Sequence, residues 1–261
     1  ASTATSTFAA GDIDYTVTGS SAADTITTGA GADTIVASGG GDTITTGAGI
    51  DTINDGAGND VIISGAGADI ISLATGGNDV MRLTANEIGT ATVANAAVAV
   101  DAVTGMTVTT GTDQIEISVS AIEGLTGVTD LVLAGDASSI AASTASAVTD
   151  GGTNATDFGG DTDSAILLVQ DGSLTESQLE TDLEAGGAGA ITANNAFAVG
   201  DAFLVAVDDG TNSALFLMTV GGDGAANDET WATGELTATK LMTLTGVSAI
   251  QNFHQDALDF I

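Results

Sequence analysis

In units of nine, residues 19–81 read GSSAADTIT (19–27), TGAGADTIV (28–36), ASGGGDTIT (37–45), TGAGIDTIN (46–54), DGAGNDVII (55–63) and SGAGADIIS (64–72). After one extra residue in the register, ATGGNDVM follows (74–81). Aspartate recurs every nine residues at Asp24, Asp33, Asp42, Asp51, Asp60 and Asp69, and Asp79 comes ten residues later. Two positions after each aspartate stands an aliphatic residue: Ile26, Ile35, Ile44, Ile53, Ile62, Ile71 and Met81. A fixed short period of this kind is the signature of a solenoid, in which each unit buries its apolar position only by stacking on the next.

The residue types say what each unit does. Glycines at Gly29/Gly31, Gly40, Gly47/Gly49, Gly56/Gly58 and Gly65/Gly67 permit a tight left-handed turn. Such turns present carbonyl oxygens, and the aspartate beside each adds a carboxylate. After the turn, segments such as Asp33-Thr34-Ile35-Val36 read as short strands with the isoleucine facing inward. One nonapeptide thus makes one turn and one strand, and two make a full coil, so residues eighteen apart stack. Asp33, Asp51 and Asp69 then line one edge, and Asp24, Asp42 and Asp60 the other. Stacked strands lie roughly 4.8 Å apart. Two carboxylates roughly 5 Å apart repel by about 3 kcal/mol at an effective dielectric of about 20. A divalent cation between the pairs 24/42, 42/60, 60/79, 33/51 and 51/69 relieves this repulsion. Oxygen-only donors select a hard ion, calcium, in about five sites.

The segments TGAGADTIV, TGAGIDTIN and SGAGADIIS resemble the nonapeptides of the RTX (repeats-in-toxin) family, written G-G-x-G-x-D-x-U-x. The resemblance implies a calcium-bound parallel β-roll and export by type I secretion. It also implies a metal-ligand set of Asp24, Asp33, Asp42, Asp51, Asp60, Asp69 and Asp79 together with the glycines named above. Within the family, the low aromatic content here is similar to that of RTX-containing surface-layer proteins. Two departures stand out: the first glycine of the pattern is usually Thr, Ser, Ala or Asp here, and GSSAADTIT lacks the inner glycines.

The remaining composition fits a thin-cored β protein. Of 261 residues, 43% are hydrophobic but only 3% aromatic. Two basic residues, Arg82 and Lys240, face 35 acidic ones, for a formal charge of −33. Such a chain is repelled by nucleic acid and by anionic membrane surfaces. No run of eighteen apolar residues provides for membrane insertion through a helix. Without cysteine there is neither a disulfide framework nor thiolate chemistry. The opening ASTATSTFAAGD lacks the basic and apolar regions of a signal peptide, an expectation consistent with type I export. The location expected is extracellular, at the cell surface.

The fold class expected is all-β: a parallel β-roll, then further β-solenoid or β-domain, then a small C-terminal α+β region. Residues 1–18, with alternating Ile13, Tyr15 and Val17, read as a capping strand or assembly segment. The roll spans 19–81. Residues 82–150 stay strand-like, and Gly111-Thr112-Asp113-Gln114-Ile115 echoes the repeat, with Asp113 either a further ligand or a solvated turn residue. Residues 143–163 form the candidate boundary; Asp157, Asp161 and Asp163 there lack the EF-hand spacing and read as a solvated loop. Residues 164–261 combine several elements. Ser173-Leu174-Thr175-Glu176 opens a helix to about Glu184. AFLVAVDDGTNSALFLMTV reads as a hairpin turning at Asp208–Asn212, and Asp223, Asp228 and Glu229 form an acidic loop. The tail KLMTLTGVSAIQNFHQDALDFI resembles a type I export signal.

No catalytic constellation is visible. His254 is the only histidine, and no G-x-S-x-G elbow accompanies it. Trp231 reads as a packing residue, and the glycine turns are each followed by an aspartate that repels phosphate. The protein is therefore expected not to be an enzyme but a self-assembling structural protein, with copies of itself as partner. A folding and export module of a secreted enzyme or toxin is one alternative. A calcium-dependent adhesin is another, with a cell-surface polysaccharide as a further candidate partner.

Overall fold

The computed structural model describes residues 5–8, 11–73, 76–85, 100–107, 113–123, 125, 130–131, 146–148, 156–157, 166–169, 180, 191–192, 199–221, 234–247 and 258–261. The repeat region carries β1 (Thr5–Thr7), β2 (Thr16–Thr18), β3 (Thr25–Thr27), β4 (Thr34–Val36), β5 (Thr43–Ala48), β6 (Thr52–Asn54), β7 (Val61–Ala66), β8 (Ile70–Ser72) and β9 (Val80–Leu83). Next come β10 (Asp101–Thr104), β11 (Gln114–Ile117), the helix α1 (Val119–Glu123), β12 (Asp130–Leu131), β13 (Ser146–Val148), β14 (Thr156–Asp157), β15 (Ile166–Val169) and β16 (Ile191–Thr192). The last strands are β17 (Asp201–Asp208), β18 (Ser213–Val220), β19 (Leu236–Thr245) and β20 (Leu258–Phe260).

Successive strands of the repeat go to opposite sheets. The first sheet has the order β1-β3-β5-β7-β9-β11-β20, parallel throughout. The second runs β13-β15-β17-β18-β19-β10-β8-β6-β4-β2, with β12 also on β17 and β14 paired separately with β16. It is parallel except where β18 pairs antiparallel with β17 and β19. This is the expected parallel β-roll. The short strands β2, β4 and β6 each centre on one inward β-branched residue, Val17, Ile35 or Ile53, flanked by exposed residues that are threonine except at Val36 and Asn54.

The core is two facing ladders. Ile26, Ile44, Ile62, Met81 and Ile115 stack in the first sheet. Val17, Ile35, Ile53, Ile71, Val103 and Leu244 stack in the second. All are buried. Burying each such side chain stabilises by about 1.5–3 kcal/mol, and a coil of eighteen residues contributes only two of them. The ladder hydrogen bonds therefore continue into the turns, for example from the Gly49 N–H to the Ala66 carbonyl at 2.8 Å.

The alternation Ile13–Tyr15–Val17 is not one strand: β2 begins at Thr16, Ile13 is exposed, and Tyr15 packs with Phe8 against the core. The roll also runs past residue 81. After the segment 84–100, β10 and β11 rejoin the two sheets in register, and β19 and β20 add the next rung to each. The β17–β18 hairpin turns where expected, with Asp208 opposite Ser213 and Gly210 at a φ of 84°. Both its faces are buried. The helix expected from Ser173 to Glu184 lies outside the described residues apart from Glu180. So do Asp161, Asp163, Asp223, Asp228, Glu229, Trp231 and His254, and the side chain of Asp157.

Candidate metal centre

Each repeat aspartate sits in the turn just before a strand, so alternation between sheets sorts these residues into two columns. Ahead of β4, β6 and β8 stand Asp33, Asp51 and Asp69, and Asp101 opens β10 itself. Ahead of β3, β5, β7, β9 and β11 stand Asp24, Asp42, Asp60, Asp79 and Asp113. Within a column, the backbone N–H of each aspartate donates to Oδ1 of the aspartate one coil later. The Asp33–Asp51, Asp51–Asp69 and Asp69–Asp101 bonds are 2.7, 2.8 and 2.9 Å. The Asp24–Asp42, Asp42–Asp60, Asp60–Asp79 and Asp79–Asp113 bonds are 2.7, 2.6, 3.0 and 2.9 Å. Tyr15 N–H extends the first column by donating to Asp33 Oδ1 at 2.7 Å.

One carboxylate oxygen of each aspartate after Asp24 is therefore spent on holding the coils together. The other oxygen separates the interior of the columns from their ends. Oδ2 of Asp33, Asp42, Asp51 and Asp60 is buried without a hydrogen-bond partner. At the ends, protein groups supply one. Asp24 accepts from the Ser20 N–H at Oδ2 and from its hydroxyl at Oδ1. Asp101 Oδ2 accepts from the Ser64 hydroxyl at 2.9 Å. Asp113 Oδ2 accepts from the Thr107 N–H and hydroxyl at 2.7 and 2.9 Å. Buried, unpartnered carboxylate oxygens are costly unless a counter-charge meets them. Burial pushes the carboxyls of Asp42, Asp51, Asp79 and Asp101 upward, and that of Asp60 up to about 6, against the lowering effect of their backbone hydrogen bonds. Neighbouring carboxylates push in the same upward direction. The only ion pair among the described residues, Arg82 with Glu116, lies elsewhere, and Lys240 sits over the Phe216 ring. The donor set is all oxygen, and it fits a hard divalent cation.

The glycines hold the turns close. Gly31, Gly40, Gly47, Gly49, Gly56, Gly58, Gly65 and Gly67 all have φ between 87° and 158°. A Cβ on Gly49, Gly58 or Gly67 would overlap the carbonyl oxygen of Gly31, Gly40 or Gly49, one coil earlier. Those carbonyls therefore point along the stack, while the alanine carbonyls of the turns, such as Ala48, Ala57 and Ala66, accept inter-coil hydrogen bonds. Gly29 does not take a left-handed conformation, and Ser38 takes one with φ 82° where the later units use Gly47, Gly56 and Gly65.

Besides Asp113, three aspartates of the site do not follow from the nine-residue period. Asp101 stands 32 residues after Asp69 because the segment 84–100 intervenes. Asp14 Oδ1 accepts the Ala32 N–H at 2.8 Å and tops the first column one residue out of phase. Asp55 occupies the first position of its nonapeptide, and its carboxylate lies with those of Asp60 and Asp79 in one cluster. The signal for Asp55 was present: an acid where the other in-phase units have Gly, Thr, Ala or Ser.

A roll of stacked nine-residue turns with buried carboxylate oxygens that no protein donor meets, at Asp33, Asp42, Asp51 and Asp60, defines a cation-binding β-roll. Residues 16–44, 36–71 and 45–81 match the family model for the RTX calcium-binding nonapeptide repeat. The segment 16–81 thus consists of RTX repeats, which bind calcium. Neither curated proteins nor solved structures gave a match. Among the described residues no helix is long and apolar enough to cross a membrane.

Proposed function

We propose that this is an extracellular structural protein whose roll folds on calcium after export and whose copies assemble into a surface layer or filament. The observation that carries the calcium half is the double column of aspartates, with Oδ2 of Asp33, Asp42, Asp51 and Asp60 buried and without a hydrogen-bond partner, in a chain with 35 acidic and two basic residues. Asp24, Asp33, Asp42, Asp51, Asp60, Asp69 and Asp79 with the glycine turns hold the ions. Bound calcium supplies the positive charge that lets buried carboxylates stay ionised. Without it the columns repel and the thin isoleucine ladders do not hold the coils. Supporting the assembly half, the outer edges of β1 and β2 have no strand partner among the described residues. An open edge of a parallel sheet is a template for pairing. Circular dichroism should show a gain of β-structure as calcium is added, and electron microscopy should show ordered polymers that chelation dissolves. No spectral change would refute the calcium half; a chain that folds but stays monomeric in millimolar calcium would refute the assembly half. That second outcome would favour a folding module of a longer secreted protein, a reading supported by the confinement of the family match to residues 16–81.

A further inference from the structure

We propose that Asp55, Asp60 and Asp79 form a three-carboxylate calcium site, tighter than the other levels of the roll and filled first. The inference rests on the calcium-folded reading above and goes beyond it, because Asp55 lies outside the repeating set of aspartates. One oxygen from each of the three carboxylates lies within 4.8 Å of the others. Calcium–oxygen contacts run at about 2.3–2.6 Å, so a single ion can touch all three. The three residues are 0%, 0% and 2% exposed. Asp60 spends Oδ1 on the Asp42 N–H at 2.6 Å, and its Oδ2 is buried with no hydrogen-bond partner. Asp79 spends Oδ1 on the Asp60 N–H at 3.0 Å.

The place of Asp55 in the fold sharpens the argument. The same inward position is Ala37 one coil earlier and Leu73 one coil later, and both are buried in the hydrophobic core. In the opposite column the equivalent residues are Thr28, Thr46 and Ser64. There the Thr28 and Thr46 hydroxyls donate to the carbonyls of Thr46 and Ser64, and the Ser64 hydroxyl to Asp101. A carboxylate between two aliphatic rungs is therefore specific to this level. The chain's two basic residues are engaged elsewhere, Arg82 with Glu116 and Lys240 over Phe216. The register also slips by one residue here, Asp60 and Asp79 being nineteen apart instead of eighteen. Ligand charge sets calcium affinity, and this level brings three negative charges to one ion where other levels bring two.

The test is calorimetric calcium titration of the full chain after removal of metal on a chelating resin, followed in parallel by circular dichroism. The wild-type chain should show one ion bound in a tight class ahead of the rest. Asp55→Ala, which installs the residue of the preceding coil and keeps the column apolar, should fold at saturating calcium with that tight class weakened by about tenfold or more. Asp42→Asn should weaken the later class and leave the first intact. A first class unchanged in Asp55→Ala, with calcium still folding the roll, overturns this site and leaves the calcium-folded reading standing. A wild-type chain that takes up no calcium overturns both.

Discussion

Gly58 has no room for a side chain: a Cβ there would overlap the Gly40 carbonyl, and its φ of 152° disfavours any L residue. Gly76 has a similar φ of 131° but nothing within 4 Å of its would-be Cβ. Gly76→Ala should therefore cost only the backbone strain, about 1–3 kcal/mol. Gly58→Ala should cost visibly more, since the stacked turn must also move. Thermal melts in saturating calcium compare the two, and equal losses would mean the turns do not stack closely. Ser38 carries the opposite lesson. It bears a left-handed φ of 82° and is exposed apart from a 3.4 Å hydrogen bond to Gly19. Ser38→Gly should stabilise by about 1 kcal/mol. Asp60 gives a sign to the pH dependence. Burial, and then the charges of Asp42 and Asp79, push its carboxyl up to about 6. In the metal-free roll the folded state thus holds this proton more tightly than the unfolded chain does. The stabilisation is complete below the ordinary value of 3.8 and is lost as pH rises through about 6. Metal-free protein should lose β-structure as pH rises from the ordinary value of 3.8 through about 6, whereas calcium-loaded protein should be weaker at the acid end, where protons compete for the carboxylates. A metal-free melting temperature that climbs with pH would contradict this.

At the scale of the element, the rungs that end the columns are held by protein alone. Asp101 accepts the buried Asp69 N–H and the Ser64 hydroxyl, and so seals its column with both oxygens in use. Asp101→Ala should cost about 1–3 kcal/mol for each donor left unmet, read by chemical denaturation in saturating calcium. Bound calcium per chain should stay the same; a loss of one ion would show that Asp101 is a ligand after all. This element marks where sequence legibility stops. The nonapeptide strands were readable because one aspartate and one isoleucine recur at a constant spacing and each unit packs only on its neighbours. The β17–β18 hairpin was readable because Asp208–Asn212 is local turn chemistry, with Asp209 Oδ1 accepting the N–H groups of Thr211 and Asn212. Asp101 was hidden by intervening chain that a fixed period cannot span, although β10 rejoins the stack in phase. Asp113 showed in the echo at 111–115, but its two hydrogen-bonded oxygens make it a terminator of the column. The addition of β19 and β20 to the roll is a pairing between residues more than a hundred positions apart, and no local pattern encodes it.

Across the whole molecule, the two ends of the roll differ. At one end β11 receives β20 and β10 receives β19, so both sheets continue into the C-terminal strands. At the other, β1 and β2 are outermost, and Thr5, Thr7, Thr16 and Thr18 around these edges are exposed and uncharged. A net charge of −33 keeps calcium-free copies apart. Calcium changes both terms together, building the edge and reducing the repulsion. Assembly that uses this end should therefore depend on β1 while calcium uptake does not, since the metal columns begin beyond it. Thr5→Lys with Thr7→Lys places two cations on the edge strand, a known block to edge pairing, without touching an aspartate or an inward isoleucine. The double variant should titrate calcium and gain β-structure like the unmodified protein, yet sediment as a monomer where the unmodified protein polymerises. Polymers of unchanged length from the variant would place the contact elsewhere on the molecule, and loss of calcium-driven folding in it would show that β1 is part of the folding unit instead of its free edge.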